Sequence, residues 1–183
     1  MPGNYGVSQP MSATAKKNDS GKRMQSLVDS LANALQHASG RDGPVITENQ
    51  IGQTKSLHVA VIWDDWDGLT PAERSKVIVD AYARAKRLRG LTITLAMGLT
   101  AEEALRTGFL PYSIVTMRRA GDPVSLNQLA KAMEDAAGIL VKVGASTQLR
   151  FPTQESAEDA YRQLSQRIPG PYWAIVHEQP AVD

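Results

Sequence analysis

The densest group of side chains able to do chemistry is the run Trp63-Asp64-Asp65-Trp66-Asp67-Gly68. Closely spaced aspartates can hold Mg²⁺ or share a proton as an acid/base pair. The same run also serves structure, because carboxylates ahead of a helix N-terminus complement the helix dipole and Asp-Gly is turn chemistry. The structural role is the commoner one. Tryptophan brings a large apolar area and one hydrogen-bond donor to interfaces. Trp66 falls in the expected turn, where full burial is hard, so it is the expected contact residue, with Trp63, Asp64, Asp65 and Asp67 around it.

A second group is basic: Arg84, Lys86, Arg87 and Arg89 crowd one stretch ahead of Gly90. Such a cluster can bind phosphate or RNA, although helix C-termini attract cations anyway. Tyr112 and Phe151 fall on expected strands where an RNA-recognition sheet would place stacking aromatics, but the full aromatic signature of that module is missing and packing is the better account. His37, His58 and His177 each stand alone, without a second histidine at ligand spacing. The sequence has no cysteine, no Gly-x-Ser-x-Gly elbow and no Gly-Lys-Ser/Thr phosphate loop. No metal and no cofactor is therefore expected.

Composition narrows the setting. The 183 residues carry 20 Lys plus Arg against 19 Asp plus Glu, and 42% are hydrophobic, the profile of an ordinary globular chain. A net charge of +1 argues against a broad basic face for duplex DNA. No run reaches the roughly 18 apolar residues of a membrane span, and the N-terminus lacks the charged-then-apolar order of a signal peptide. The expectation is a cytoplasmic protein with no membrane contact.

The elements that must position these groups follow from periodicity. Residues 1–20 are rich in Gly, Pro, Ser, Asn and Thr without an apolar period, and are expected as a disordered tail. Met24, Leu27, Val28, Leu31 and Leu35 recur at helical spacing. Residues 44–51 read as an edge strand, and 57–63 (LHVAVIW) as a strand covered on both faces. Thr70-Pro71-Ala72-Glu73 combines a capping hydroxyl, a first-turn proline and a third-position glutamate, so a helix starts there and should run to Gly90. A strand over 91–97 and a short helix capped by Thr100 and Glu103 follow. After Gly108 the pattern restarts. A strand over 111–119 precedes a helix capped by Ser125 and Gln128, with Leu126, Leu129, Ala130 and Met133 inward. A hairpin around 144–146, a helix over 154–168 and a strand over 172–177 complete the chain. The order strand, helix, strand, strand, helix, strand in this half is that of a ferredoxin-like fold.

Residues 57–76 (LHVAVIWDDWDGLTPAERSK) resemble the BolA family, whose signature is an apolar strand, an aspartate, an aromatic, a glycine, a hydroxyl residue and an Arg-His-Arg cluster opening a helix. Asp64, Trp66, Gly68, Thr70, Arg74 and Lys76 fall on matching or conservatively changed positions, and Thr100-Ala101-Glu102-Glu103 is similar to that family's Thr-Pro-Glu-Glu start. The resemblance implies a fold similar to type II KH domains over about residues 24–105. It also implies an iron-sulfur site shared with a monothiol glutaredoxin, but its histidines fall on Ser75 and Thr92, and a hydroxyl does not replace imidazole as a soft-metal ligand.

The expected architecture is thus α+β: the tail, a BolA/KH-like half over 21–108 and a ferredoxin-like half over 109–178. The expected function is a non-enzymatic protein-binding adaptor or assembly subunit, contacting a protein partner through Trp63, Asp64, Asp65, Trp66, Asp67 and Arg74, with a homo-oligomer as one form it can take. One alternative is weak single-stranded RNA binding through Arg84, Lys86, Arg87 and Arg89. The other is a Mg-dependent enzyme built on Asp64, Asp65 and Asp67.

Overall fold

Two sheets, each with helices packed on one face, organise this mixed α+β chain, and a computed structural model describes residues 13–37, 43–144 and 146–178. The first helix, α1 (Ala13–Gln36), starts within the expected tail, so residues 13–20 are helical; residues 1–12 lie outside the described residues. Its apolar spacing holds: Leu27, Val28, Leu31, Ala32 and Leu35 are buried along one stripe.

That stripe packs with α2 (Pro71–Arg84) on a three-stranded sheet of β1 (Val45–Gln50), β2 (Ser56–Ile62) and β3 (Thr92–Leu99), in the order β1-β2-β3. β1 runs antiparallel to β2, while β3 returns parallel to β2 through the α2 crossover. α2 begins with the expected capping box: the Thr70 hydroxyl accepts from Glu73 N–H and the Glu73 carboxylate accepts from Thr70 N–H. These bonds hold the Glu73 carboxyl below the usual carboxylate range. β2 was expected to be covered on both faces, yet it alternates. Leu57, Val59 and Val61 are buried under the helices, whereas His58 and Ala60 on the other face are half-buried. Among the described residues, that other face is covered at one end, where Ile62, Ala104 and Leu110 meet Val45, Leu99, Phe109 and Ile139.

α2 also ends earlier than Gly90 implies. It stops at Arg84, and Lys86 (φ 52°) and Arg89 (φ 43°) take left-handed backbone, so three of the four basic residues sit in a loop rather than on a helix. Nothing in local composition announces this, since left-handed backbone at a non-glycine residue is uncommon.

A short helix, α3 (Ala101–Arg106), leads into the second sheet, formed by β4 (Tyr112–Thr116), β5 (Ile139–Val143), β6 (Ser146–Phe151) and β7 (Trp173–His177). The strand order is β5-β6-β4-β7, with antiparallel neighbours throughout. α4 (Leu126–Glu134) and α5 (Gln154–Arg167) cover one face, burying Leu129, Ala132, Met133, Ala157, Ala160 and Leu164 against Ile114, Leu149, Phe151 and Trp173. Leu126, expected inward, is 57% exposed, and the stripe is instead carried by Leu129, Ala132, Met133 and Ala136. The cause is position along the helix rather than rotational phase: Leu126 is the first residue of α4, and burial begins at Leu129.

No helix among the described residues is long and apolar enough to cross a membrane.

Candidate partner-binding site

The acidic turn folds back on itself after β2. Trp63 N–H donates to Leu99 O at 2.9 Å, Asp67 N–H to Asp64 O at 3.1 Å and Leu69 N–H to Trp66 O at 3.0 Å, closing one turn of 3-10 helix over Asp64–Trp66. This turn drives Trp66 inward. The Trp66 side chain is 0% exposed, its indole N–H donates to Val61 O at 3.0 Å, and its ring stands edge-on to Trp63 with centroids 5.2 Å apart. The expectation that Trp66 is a contact residue is therefore corrected: it is a core residue delivered by a turn, and Trp63 is buried beside it.

Arg74, expected at the partner contact, is buried as well. Its Nε donates to Leu69 O at 3.0 Å, its Nη1 to Gly98 O at 3.1 Å, and Nη1 also pairs with the Glu103 carboxylate. One guanidinium thus ties the end of the turn, β3 and the cap of α3 together. Glu103 is the capping-box residue of α3, accepting from Thr100 N–H at 2.9 Å. Donation from Arg74 first, and from Thr100 N–H second, holds the Glu103 carboxyl below the usual carboxylate range.

Gly98 makes this junction possible. A Cβ there would stand 2.7 Å from Arg74 Cβ and 3.1 Å from the Trp66 ring. Gly98→Ala is accordingly expected to cost about 1–3 kcal/mol by overpacking, read as a lowered urea midpoint with unchanged m-value.

The aspartates have structural partners. Asp64 Oδ1 accepts from Ala101 N–H at 3.0 Å at the start of α3, and the backbone carbonyls of Asp65 and Asp67 accept from Arg23 at 3.3 and 2.6 Å. Among the described residues, no group of three or more His, Asp or Glu side chains is placed to hold a metal ion.

The basic group is divided. Arg84 pairs with Asp29. Arg87 is half-exposed and reaches back to the body of the protein, with Nε 3.4 Å from Glu48 Oε1 and Nη1 3.4 Å from Leu35 O. Glu48 Oε1 also accepts from the buried Tyr82 hydroxyl at 2.7 Å, and burial together with this bond pushes the Tyr82 phenol far up. Lys86 and Arg89 remain exposed in the loop. Phe151 is core, and Tyr112 stacks on His177 with ring centroids 4.7 Å apart. The Ser75 hydroxyl, 2.7 Å from Ala96 O and 3.0 Å from Pro71 O, has one proton to donate to these two carbonyls, and its place between them secures α2 to β3.

Arg87 and Glu48 also line a cleft of about 720 Å³, whose opposite wall includes Arg150 and Asp159. The Arg150 charge is already engaged by two hydrogen bonds to Glu178, at 2.6 and 2.7 Å. Every charged group with a partner in this cleft is directed at another protein group.

A second surface, which the sequence reading missed, is mainly apolar. On the helix-free face of the second sheet, the inward positions Ile114, Leu149, Trp173 and Ile175 place their neighbours outward. That face therefore carries Ser113, Val115 and Met117 from β4 and its end, Ile139, Val141 and Val143 from β5, Gln148 and Arg150 from β6, and Ala174 and Val176 from β7; Ser113 and Arg150 are buried, and Ile139 packs against Ile62, Ala104 and Leu110. Met117 is 54%, Val143 46% and Val176 39% exposed. The available signal was β5 itself, Ile139-Leu140-Val141-Lys142-Val143, apolar but for Lys142, whereas among the described residues two helices pack on the four strands. Comparison of the chain with protein-family models, with curated proteins and with solved structures finds no match.

Proposed function

We propose that the chain is a non-enzymatic protein-binding adaptor or assembly subunit, with a BolA/KH-like first half and a ferredoxin-like second half, and that it binds through the helix-free face of the second sheet. The helix, two strands, helix, strand order of residues 13–99 supports the first likeness. The β5-β6-β4-β7 order with two helices on one side supports the second.

One observation carries the reading. Beside the buried Arg150, which is paired with Glu178, this face presents aliphatic side chains and one amide, Val115, Met117, Val141, Val143, Gln148, Ala174 and Val176, of which Met117, Val143 and Val176 are exposed. Contiguous apolar surface left open to water marks contact sites, because covering it removes area worth about 25 cal/mol per Å². The Arg150 cation on this face is held by Glu178, which favours protein over nucleic acid, whose binding draws on cations set against phosphates.

The test is a Val143→Lys/Val176→Lys double variant. Both positions are exposed, so stability is expected to shift by no more than about 0.5 kcal/mol per site. Affinity purification of the full chain from its native cell, read by mass spectrometry, should show protein partners retained by the wild type and lost by the variant. An identical partner set for both would remove the face from the reading.

A further inference from the structure

We infer that an extended segment of a partner protein, carrying a lysine or arginine, adds as a strand to the outer edge of β5, in the groove between the two sheets. This site is separate from the helix-free face and does not depend on it. The groove consists of the cleft of about 720 Å³ that Arg87 and Glu48 line and an adjoining one of about 390 Å³, which share Gly43, Val45 and Gly138. Its walls take consecutive residues from each sheet, Pro44, Val45 and Ile46 from one and Gly138, Ile139 and Leu140 from the other. A strand that shows one face to a cleft lines it with alternate residues, so a consecutive run places a backbone edge along it. β1 and β5 are both outer strands of their sheets.

Register shows which main-chain groups are free. Ile51 N–H donates to Ser56 O at 3.0 Å, so Asn49, Thr47 and Val45 bond to β2, while Ile46 and Glu48 turn their N–H and C=O groups outward. In the second sheet Met117 N–H donates to Tyr172 O at 2.8 Å, which assigns the odd residues of β4 to β7 and its even residues to β6. Arg150 and Gln148 of β6 therefore bond to Ile139 and Val141, and Leu140 turns its main chain outward. Among the described residues no hydrogen bond takes up the outward groups of Ile46, Glu48 or Leu140. The outer edge of β3 is different, for its carbonyls at Ala96 and Gly98 lie 2.7 Å from the Ser75 hydroxyl and 3.1 Å from Arg74 Nη1. Side chains of α2 thus plug that edge, whereas β1 and β5 open onto one groove. Free edge amides and carbonyls are the complement of an extended chain.

Charge and the groove floor specify the segment. The floor is apolar, where Val45 and Ile139 pack on the buried Ile62. Most charged side chains along the walls are answered: Arg87 by Glu48, Asp159 by Arg162, Arg150 by Glu178, and Asp64 by Ala101 N–H. Asp65, beside Leu140 in the smaller cleft, is exposed and its carboxylate has no hydrogen bond or ion pair among the described residues. A basic side chain on the incoming segment supplies the missing charge, and apolar side chains alternating with polar ones meet the floor.

The test pans a phage-displayed library of random peptides on the full chain and titrates the selected peptides as labelled synthetic copies. Selected sequences should alternate apolar and polar residues and carry a lysine or arginine. Leu140→Pro removes one outward N–H and none of the bonds to β6, a change that an edge position tolerates, and it should raise the peptide Kd by about tenfold or more. Leu140→Ala keeps that N–H and should raise Kd by no more than about threefold. Asp65→Lys should weaken binding in low salt and lose its effect in high salt. Bound peptide should slow amide hydrogen exchange of the wild type at Leu140 and leave β7 unchanged, a readout that decides the matter alone if melting shows Leu140→Pro to be unfolded. A library that enriches no peptide overturns the inference, as does protection confined to β7. Equal affinity for wild type and a folded Leu140→Pro overturns it too, and a loss as large with alanine as with proline assigns binding to the side chain and removes the added strand.

Discussion

Trp66→Ala is expected to destabilise the chain by about 3–5 kcal/mol, the range for truncating a large buried aromatic. In a chain of this length that corresponds to a fall in Tm of roughly 10 °C, measurable by calorimetry or circular dichroism. Two losses combine. The indole fills the space between Gly98 and Trp63, and its removal leaves a cavity that the 3-10 turn is too short to collapse into. The indole N–H also satisfies Val61 O, a carbonyl of the central strand of the first sheet. Trp66→Phe separates these losses. It keeps most of the volume, gives up the hydrogen bond, and should cost about 1–3 kcal/mol, the penalty for an unsatisfied buried polar group. A Trp66→Ala chain that melts like the wild type but loses a partner would return Trp66 to the surface role that its turn position suggests.

The inversion at Trp66 shows where sequence reading reached its limit. Element order was legible because the signals are local. The Thr70/Glu73, Thr100/Glu103 and Ser125/Gln128 capping boxes all form, each within four residues of chain. Helical spacing in 24–35, the apolar run of β2 and the hairpin signal at 144–146 likewise placed their elements. What decides whether a turn tryptophan is inside or outside is instead a contact with Gly98, 32 positions further on, and no periodicity encodes that approach. Arg74 is a similar case. At sequence level it reads as a surface cation at the start of a helix, and only the arrival of Gly98 O and Glu103 makes it a buried strut. The helix-free face of the second sheet was hidden for another reason. Apolar residues at both parities of β5 fit a doubly covered strand as well as an open apolar face, and only the placement of α4 and α5 on the same side distinguishes them.

Arg74→Leu should have an effect of similar size to that of Trp66→Ala, and its pH dependence identifies the cause. Arg74 is buried, and its removal strands two carbonyls, Leu69 O and Gly98 O, together with the Glu103 carboxylate. Breaking a buried pair by deleting one partner costs about 3–5 kcal/mol. Glu103 is about one-third exposed, so water screens part of this loss and the lower end of that range is expected at neutral pH. The Glu103 carboxyl titrates below its unfolded value chiefly because Arg74 donates to it. A depressed carboxyl pKa contributes stability that is full above the unfolded pKa of about 4.3 and is lost as pH falls through the folded pKa. Without Arg74, the main cause of the depression is gone, and the variant has less of this contribution to lose. Urea unfolding of wild type and Arg74→Leu between about pH 7 and pH 3 should therefore give a stability difference that is constant down to about pH 4.5 and narrows below it. Part of the difference should persist at the lowest pH, since the two carbonyls are stranded whatever the state of Glu103. A gap that stays unchanged across the whole range would assign the cost of the substitution to the carbonyls and to packing, and would remove the Arg74–Glu103 pair from the account of how the acidic turn, β3 and α3 are held together.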